Sequence, residues 1–295
     1  MRFGHGASVS PSAALLNLLA LSCLALRCEA FSSSSSTLRL SLRRRQFFSA
    51  STMDKTNGES RSSSLSATST SILGSCFYPS AGDCLRVILA SKSPRRKEIC
   101  GLMGLDVTVY PSTFAEDLDH GAFSSPQSYA AANAAHKAAE VARGALGAGG
   151  DDESSTCPPA ADVVIGADTI VDLDGVILEK PANHDDAVSM LSRMSGRCHA
   201  VHTGVAIFTR RAGPAEPVAH FVESTKVKFA PLSRSEIDSY VASGEPMDKA
   251  GGYGIQGLGG MFVESIEGCY FNVMGLPMHH LSKVLAQLDA NRQIV

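Results

Sequence analysis

The chain has 295 residues, of which 44% are hydrophobic and 19% charged, and its mean hydropathy is +0.05. This composition is typical of a soluble globular protein and excludes a wholly disordered or collagen-like chain. The first 82 residues hold eight Lys and Arg against three Asp and Glu, which leaves 18 of the 26 basic and 26 of the 29 acidic residues for the remainder. That net acidic remainder excludes a general nucleic-acid binder, because such proteins need a clustered surplus of Lys and Arg.

Residues 1–30 have the plan of a signal segment. A nearly unbroken apolar run from Ala13 to Leu26 follows Arg2 and precedes small residues around Ala30. The run is about 14 residues long, whereas a spanning helix needs roughly 20 apolar residues. We therefore expect a targeting segment and no stable membrane anchor.

Residues 31–82 have a different composition. A run of serines and the triplet Arg43–Arg45 lie in a stretch without acidic residues from Phe31 to Met53, which is typical of a transit peptide, and the Ser- and Thr-rich residues up to 82 predict a disordered linker. Together with the signal segment they resemble the bipartite presequences of algae with secondary plastids, which favours plastid delivery. A plain secretory signal is one alternative. A cytoplasmic protein that starts at Met53 is the other.

We expect the folded domain to occupy residues 83–292. It begins with a strand over Leu85–Ala90, followed at once by Ser93 as an N-cap and Pro94 as the first residue of a helix that ends near Gly104. A further helix is predicted from Pro126 to Arg143, a loop over 144–159, a strand over Val163–Val171, and a hairpin turn at Asp174-Gly175 before Val176–Leu178.

The carboxyl-terminal half alternates strands and helices. The pattern predicts a helix capped by Asn183 or His184, strands over Cys198–Thr209 and Phe221–Phe229, a helix with a capping box of Ser233 and Glu236, a hairpin of Met261–Ile266 with Cys269–Met274, and a helix from Pro277. This irregular alternation predicts an α/β domain with a mixed sheet.

The first strand, loop and helix form a candidate anion site. Free N–H groups and the positive end of the helix dipole attract phosphate, Ser91 and Ser93 add hydroxyl groups, and Arg95 and Arg96 can bind phosphate oxygens in pairs. Caps and exposed arginine pairs are also common without a ligand.

Asp168 interrupts an apolar strand, and a buried carboxylate needs a metal, a cation or several hydrogen bonds. Glu116, Lys137 and Lys180 could converge on it, which would suit a divalent ion and a triphosphate. The alternative is a structural ion pair with Lys180 or Arg197.

Gln256 lies in a glycine-dense segment over residues 250–260, where its amide could read a base edge, although such segments are often only flexible loops. His199 and His202 are placed on opposite faces of one strand and predict core or surface histidines, not a metal pair.

These stretches together resemble the Maf family of nucleoside triphosphate pyrophosphatases. The matching sequences are LASKSPRRKEI (Leu89–Ile99), IGADTIV (Ile165–Val171), EKP (Glu179–Pro181), SGRCHAVHTGV (Ser195–Val205) and GEPMDKAGGYGIQGLGG (Gly244–Gly260). The resemblance covers about residues 85–290. It implies the two-lobed α/β fold shared with inosine triphosphatase-like proteins, with a central cleft. It also implies house-cleaning hydrolysis of a nucleoside triphosphate to the monophosphate and pyrophosphate, assisted by Mg²⁺ or Mn²⁺.

The branch of this family that acts on dTTP and UTP has Arg, Thr and Gln at three positions, which correspond to Arg95, Thr169 and Gln256. The resemblance implies that Asp168 is the proton acceptor and that Glu116, Lys137 and Lys180 are polar cleft residues. We thus expect catalytic roles for Asp168, Lys137 and Lys180. Substrate contacts are expected from Ser91, Ser93, Arg95, Arg96, Thr169 and Gln256. A metal would lie on Glu116 and Asp168.

Three questions stay open from the sequence. Asp168 could be the general base or a metal ligand. The enzyme could select methylated or purine triphosphates, or the chain could regulate division by binding nucleotide with little turnover. A homodimer is also left open.

Overall fold

A computed structural model of the chain describes residues 85–147 and 157–294. The predicted targeting segment 1–30, the predicted linker over 31–82 and most of the predicted loop over 144–159 lie outside the described residues. Within the described ranges, no helix combines the length and the apolar character that a membrane crossing needs.

Six α-helices and seven strands form the described part, with short 3₁₀ turns between them. The helices are α1 Pro94–Leu102, α2 Pro126–Ala145, α3 His184–Met194, α4 Arg234–Ala242, α5 Tyr270–Met274 and α6 Met278–Ala290. The strands are β1 Val87–Leu89, β2 Val107–Val109, β3 Val163–Leu173, β4 Val176–Leu178, β5 Cys198–Thr209, β6 Ala219–Phe229 and β7 Val263–Glu267.

The strands form one mixed sheet in the order β2-β1-β3-β5-β6-β7, with β4 paired to β3. Strand β1 is parallel to β2 and β3, and the other pairs are antiparallel. Two hydrophobic clusters share the long strands β3 and β5: one packs against α1 and α6, and the other against α3 and α4. The predicted two-lobed α/β fold with a mixed sheet is confirmed.

One edge of β3 has no neighbouring strand in its middle part, and this gap is the opening in the sheet. Strand β1 pairs with Val163–Ile165, and β4 pairs with Val171–Leu173, so residues 166–170 have a strand neighbour, β5, on one side only. Asp168 and Thr169 lie in this opening. The pleat directs Asp168 towards α2 and Thr169 towards α1, because successive side chains of a strand point to opposite faces.

Local sequence chemistry explains most element boundaries. Ser125, Asn183 and Ser233 each accept a hydrogen bond from a backbone N–H in the first turn of the following helix. Asp174 and Gly175 both have positive φ, at 55° and 83°, which is the backbone of the tight hairpin turn predicted there. Ser93 occupies the N-cap of α1, but its side chain makes no capping hydrogen bond.

The predicted hairpin of Met261–Ile266 with Cys269–Met274 is wrong. Val263–Glu267 is a strand, but Tyr270–Met274 forms the helix α5. Helix α5 buries Asn272, whose side-chain amide donates to the Val201 carbonyl and the Thr225 hydroxyl, both 3.0 Å away. Tertiary hydrogen bonds thus override the β propensity of the Tyr-Phe-Asn-Val segment.

Candidate active site

A cleft of about 430 Å³ lies at the opening in the sheet. Every residue that the sequence analysis singled out for catalysis, substrate or metal contributes to its wall, although they come from widely separated segments: Ser91, Ser93, Arg95, Arg96, Glu116, Lys137, Asp168, Thr169, Lys180 and Gln256. The structure therefore brings all ten together.

Lys137 joins the two carboxylates that were predicted to bind metal. Its Nζ atom lies 2.6 Å from Oδ1 of Asp168 and 2.9 Å from Oε1 of Glu116. The side chains of Lys137 and Asp168 are only 10% and 7% exposed, so each charge is buried beside a charge of opposite sign, which offsets part of the desolvation cost. The partner of Asp168 is thus Lys137, and the predicted alternative of Lys180 or Arg197 is wrong.

The two other cations lie elsewhere. Lys180 is 3.6 Å from Oε2 of Glu116 and is more than half exposed. Arg197 binds Asp174 in the hairpin turn. Arg197 therefore belongs to the surface, whereas Lys180 extends the polar wall of the cleft.

Helix α2 can deliver Lys137 because it packs directly on the sheet. A Cβ atom at Gly166 would lie 2.6 Å from the Cβ of Ala138 and 2.7 Å from the carbonyl oxygen of Ala134. A side chain at position 166 would therefore push α2 outward, and Lys137 with it.

Glu116 is held as a carboxylate. Burial raises its pKa, but the positive charges of Lys137, Lys180 and Arg96 outweigh that effect and hold the pKa below its ordinary value of 4.5. The contact between Glu116 and Lys137 thus persists over the neutral range of pH.

Arg96 spans from the β1–α1 loop to β3. Its guanidinium donates to the Ser91 hydroxyl at 2.9 Å, to the Thr169 hydroxyl at 2.9 Å and to the Gly275 carbonyl at 2.8 Å. All three acceptors are neutral. Two of the five N–H groups of arginine remain for an anion in the cleft.

Arg95 points to the other side of the cleft. Its Nη1 atom donates to Oδ2 of Asp248 at 2.9 Å, and Lys249 donates to Oδ1 of the same carboxylate at 2.6 Å. Asp248 lies two residues before the glycine-dense segment 250–260 that carries Gln256, so this contact ties α1 to the start of that segment. The predicted grouping of Arg95 with Arg96 as twin phosphate ligands differs from this geometry, because Asp248 already neutralises Arg95.

The charges in the cleft favour a polyanion. Six cations line it against four carboxylates, as follows: Lys92, Arg95, Arg96, Lys137, Lys180 and Lys249 against Glu116, Asp168, Glu179 and Asp248. Among the described residues, only Lys92 and Arg96 of these six cations lack a carboxylate within ion-pair distance. Both belong to the predicted anion site at the start of α1.

Gln256 is exposed at the rim of the cleft. Its amide has no hydrogen-bond partner within the described part of the chain. A Cβ atom at Gly254 would lie 2.7 Å from Cε of Lys249 and 3.3 Å from Nε2 of Gln256, so the glycine makes room for both side chains. The amide is thus available to a ligand.

Four charged cleft residues were not singled out from the sequence, although all of them lie inside the matched stretches: Lys92, Glu179, Asp248 and Lys249. Glu179 accepts a hydrogen bond from the hydroxyl of Tyr129 at 2.6 Å. Only the fold reveals that contact, because 50 residues separate the two.

The two histidines of β5 are core residues, as predicted. His199 and His202 are buried, and they bind Tyr253 and Ser224 on opposite faces of the strand. Burial lowers the pKa of His199 to about 4, so its ring is neutral at pH 7.

The residues at the opening fit a divalent cation only in part. The described residues contain no group of three or more His, Cys, Asp and Glu side chains able to hold a metal ion. Mg²⁺ is commonly bound by one or two carboxylates together with substrate phosphates. Glu116 and Asp168 both contact the ammonium group of Lys137 and could supply such a pair of carboxylates. A divalent cation therefore fits here only when phosphate oxygens complete its coordination.

Comparisons with known proteins agree with this architecture. A family profile described as "Maf-like protein" matches residues 86–288. A human protein named "Probable bifunctional dTTP/UTP pyrophosphatase/methyltransferase protein" is 51% identical over 206 residues, which are 69% of this chain and 32% of the human protein. The chain thus spans about a third of that relative.

Bacterial relatives are matched over nearly their whole length. Proteins named "dTTP/UTP pyrophosphatase" from Bacillus cereus strain B4264 and Clostridium perfringens strain 13 are each 43% identical, over 69% and 70% of this chain and 96% and 98% of their own. The chain belongs to the Maf family, as its motifs predicted.

Proposed function

We propose that this protein hydrolyses dTTP and UTP to the nucleoside monophosphate and pyrophosphate. The observation that carries the proposal is the convergence of all ten predicted residues on one cleft with a surplus of cations. The names of the bacterial relatives, which are matched over 96% and 98% of their own length, support the choice of substrates.

In the proposed reaction, the oxygen of a water molecule forms a bond to the α-phosphorus, and the bond from that phosphorus to the bridging oxygen of the β-phosphate breaks. Asp168 accepts the proton of the water, and pyrophosphate leaves. Lys137 holds Oδ1 of Asp168 at 2.6 Å and so fixes the direction of the carboxylate. Positioning and charge neutralisation supply most of the rate enhancement in such a step.

The phosphates are assigned to the start of α1. Lys92, Ser91 and Arg96 face the cleft, and two of these side chains carry charge that no carboxylate neutralises within the described residues. Lys180 is placed to offset negative charge that develops on the leaving group. Arg95, Thr169 and Gln256 are assigned to the selection of the nucleotide.

A divalent cation bound with the substrate would be held by Glu116 and Asp168, where it would neutralise phosphate charge. Glu116 is assigned as the main ligand, because cations already hold its pKa below the ordinary value and keep it a carboxylate. Asp168 is assigned as the proton acceptor, because Lys137 fixes the direction of its carboxylate.

Two other functions are weaker. The names of the relatives do not favour a preference for methylated or purine triphosphates. A division regulator with little turnover has no need of a buried carboxylate at the reacting end of the cleft.

The test measures pyrophosphate release from dTTP, UTP, CTP, ATP and GTP with Mg²⁺ or Mn²⁺. We expect dTTP and UTP to be hydrolysed fastest, and Asp168→Asn to lower turnover by about 10²-fold or more, the scale of general base catalysis. Asp174→Asn makes the same change in an exposed hairpin turn and serves as the control. Near-normal turnover of Asp168→Asn would contradict the assignment.

We also propose that residues 1–82 deliver the enzyme to a plastid. A fluorescent protein fused after Gly82 should enter the organelle, and deletion of Ala13–Leu26 should prevent entry. Cytosolic fluorescence of the intact fusion would favour Met53 as the working start.

A further inference from the structure

A turn over residues 112–114 forms one wall of the cleft, directly before Glu116. Four of its donor groups point at a single carboxylate, that of Glu140 in α2. The backbone N–H groups of Thr113 and Phe114 lie 3.1 Å and 2.9 Å from Oε2 of Glu140. The hydroxyls of Ser112 and Thr113 also donate to it. Glu140 does not itself line the cleft.

A second contact fixes the same turn. The ring of Phe114 stacks on His136 of α2 with centroids 4.9 Å apart and planes 12° from parallel. The turn therefore rests on α2 through both a polar and an aromatic contact, which lie four residues apart on one helix face.

The same helix carries Lys137, three residues before Glu140. Glu116 follows the turn by two residues, and its Oε1 atom lies 2.9 Å from Nζ of Lys137. The side chain of Glu116 is 41% exposed, so packing alone does not determine its position.

We propose that Glu140 is a positioning residue of the active site, which fixes the 112–114 turn so that Glu116 reaches Lys137. Lys137 is then held between Glu116 and Asp168 instead of pairing with Asp168 alone. This inference rests on the proposed function for its kinetic consequence, but its structural consequence does not depend on activity.

Glu140 accepts hydrogen bonds from the 112–114 turn through both carboxylate oxygens. Variants that keep one acceptor oxygen or none should therefore have effects of increasing size. Glu140→Gln keeps one acceptor oxygen, and Glu140→Met keeps the approximate shape and loses all acceptors. Glu236 provides the matched control. It accepts the backbone N–H and hydroxyl of Ser233 in the capping box of α4, and it does not line the cleft.

The kinetic test measures kcat and KM for dTTP at about 15 °C below the melting temperature of the least stable variant. We expect kcat to fall about tenfold in Glu140→Met and less in Glu140→Gln, with KM changed by less than about threefold. In a Glu116→Gln background, Glu140→Met should have little further effect, because the interaction that it supports is already lost. Glu236→Met should lower the melting temperature and leave kcat unchanged.

The second test compares crystal structures of the native protein and the variants, which needs no turnover. Oε1 of Glu116 lies 2.9 Å from Nζ of Lys137, and we expect this contact to be lost in Glu140→Met because the 112–114 turn is no longer fixed. The contact should be unchanged in Glu236→Met. Glu140→Gln, which should show a smaller displacement of Glu116, replaces Glu140→Met if the latter does not fold.

A Glu116–Lys137 contact that is unchanged in the folded Glu140 variants would overturn the inference, as would kinetic effects that add fully to those of Glu116→Gln. A native protein that releases no pyrophosphate would instead contradict the proposed function. The crystal structures would then still decide the role of Glu140.

Discussion

Gly204 lies directly opposite Asp168 in the antiparallel pair of β5 and β3, and it determines how close Lys137 of α2 can come to Asp168. A Cβ atom at Gly204 would lie 2.4 Å from the carbonyl oxygen of Ala130 in α2. Real Cβ atoms do not approach backbone oxygen so closely. Because Gly204 of β5 has no side chain, α2 can pack close to the sheet. The distance between Asp168 of β3 and Lys137 of α2 depends on this close packing.

Gly204→Ala should therefore impair both stability and turnover. The added methyl group forces α2 away from the sheet, at a cost of about 1–3 kcal/mol for overpacking, and lengthens the Lys137–Asp168 contact. Urea unfolding and pyrophosphate release measure the two effects. Gly101→Ala is the control, since a Cβ atom there meets nothing within 4 Å and should leave both quantities unchanged or raise stability. A fully stable and active Gly204→Ala protein would refute this account of the packing.

Lys92→Ala should weaken substrate binding with little change in stability. Lys92 is exposed and has no ion pair in the described part of the chain, so its loss leaves no buried partner behind. A hydrogen bond to a charged group contributes about 1.5–3 kcal/mol, which predicts a KM for dTTP raised about tenfold or more. Lys97→Ala removes an exposed lysine of α1 outside the cleft and should not change KM. Equal kinetics in the two variants would place the phosphates elsewhere.

Gln256→Glu should reduce the preference for dTTP and UTP while cleavage of other triphosphates persists. The carboxylate can accept a hydrogen bond but cannot donate one, so a partner that needs a donor is left unsatisfied. We expect the ratio of kcat/KM between dTTP and CTP to fall about tenfold, since that corresponds to about 1.4 kcal/mol. Gln287→Glu, on the exposed face of α6, controls for the added charge. A uniform loss on every nucleotide would assign Gln256 to the phosphates or to the fold.

Protonation of His199 should destabilise the protein in acid. Its pKa is about 4 in the folded state against 6.5 ordinarily, so the unfolded chain binds the proton first as the pH falls. The free energy of unfolding should therefore decrease from pH 6.5 to pH 4, by about 3 kcal/mol from this group, with no further loss below. His199→Phe should lack this component in urea titrations at pH 7 and pH 4.5. The exposed His220, replaced by Asn, is the control, and an identical pH dependence in His199→Phe would count against the argument.

The family and the mixed sheet were predictable because their determinants are local. The capping box of Ser233 and Glu236, the Asp-Gly turn and the run of β-branched residues around Asp168 each act within a few positions. The motif that carries Arg95 and Arg96 is similarly continuous, so its residues could be named before the fold was known.

The pairings across the cleft were not predictable. The sequence placed Lys137 and Lys180 near Asp168 and kept Lys180 or Arg197 as a structural alternative, but it could not choose among them, because the choice depends on how closely α2 packs on Gly166 and Gly204. The different contacts of Arg95 and Arg96 likewise depend on Asp248, which lies more than 150 residues from Arg95 in the sequence. Helix α5 was missed for the same reason, since its hydrogen bonds to β5 and β6 have no local signature.

The opening in β3 also restricts how this site can change. Adjacent residues there serve opposite layers of the protein, so a shift of the strand by one residue would turn Thr169 towards Lys137 and Asp168 towards Arg96. A single inserted or deleted codon in this strand would therefore exchange the proposed proton acceptor with the residue proposed to select the nucleotide. Residues of this strand can therefore be substituted without changing the direction of their neighbours. Insertions and deletions keep these directions only if they fall in the connections outside the strand.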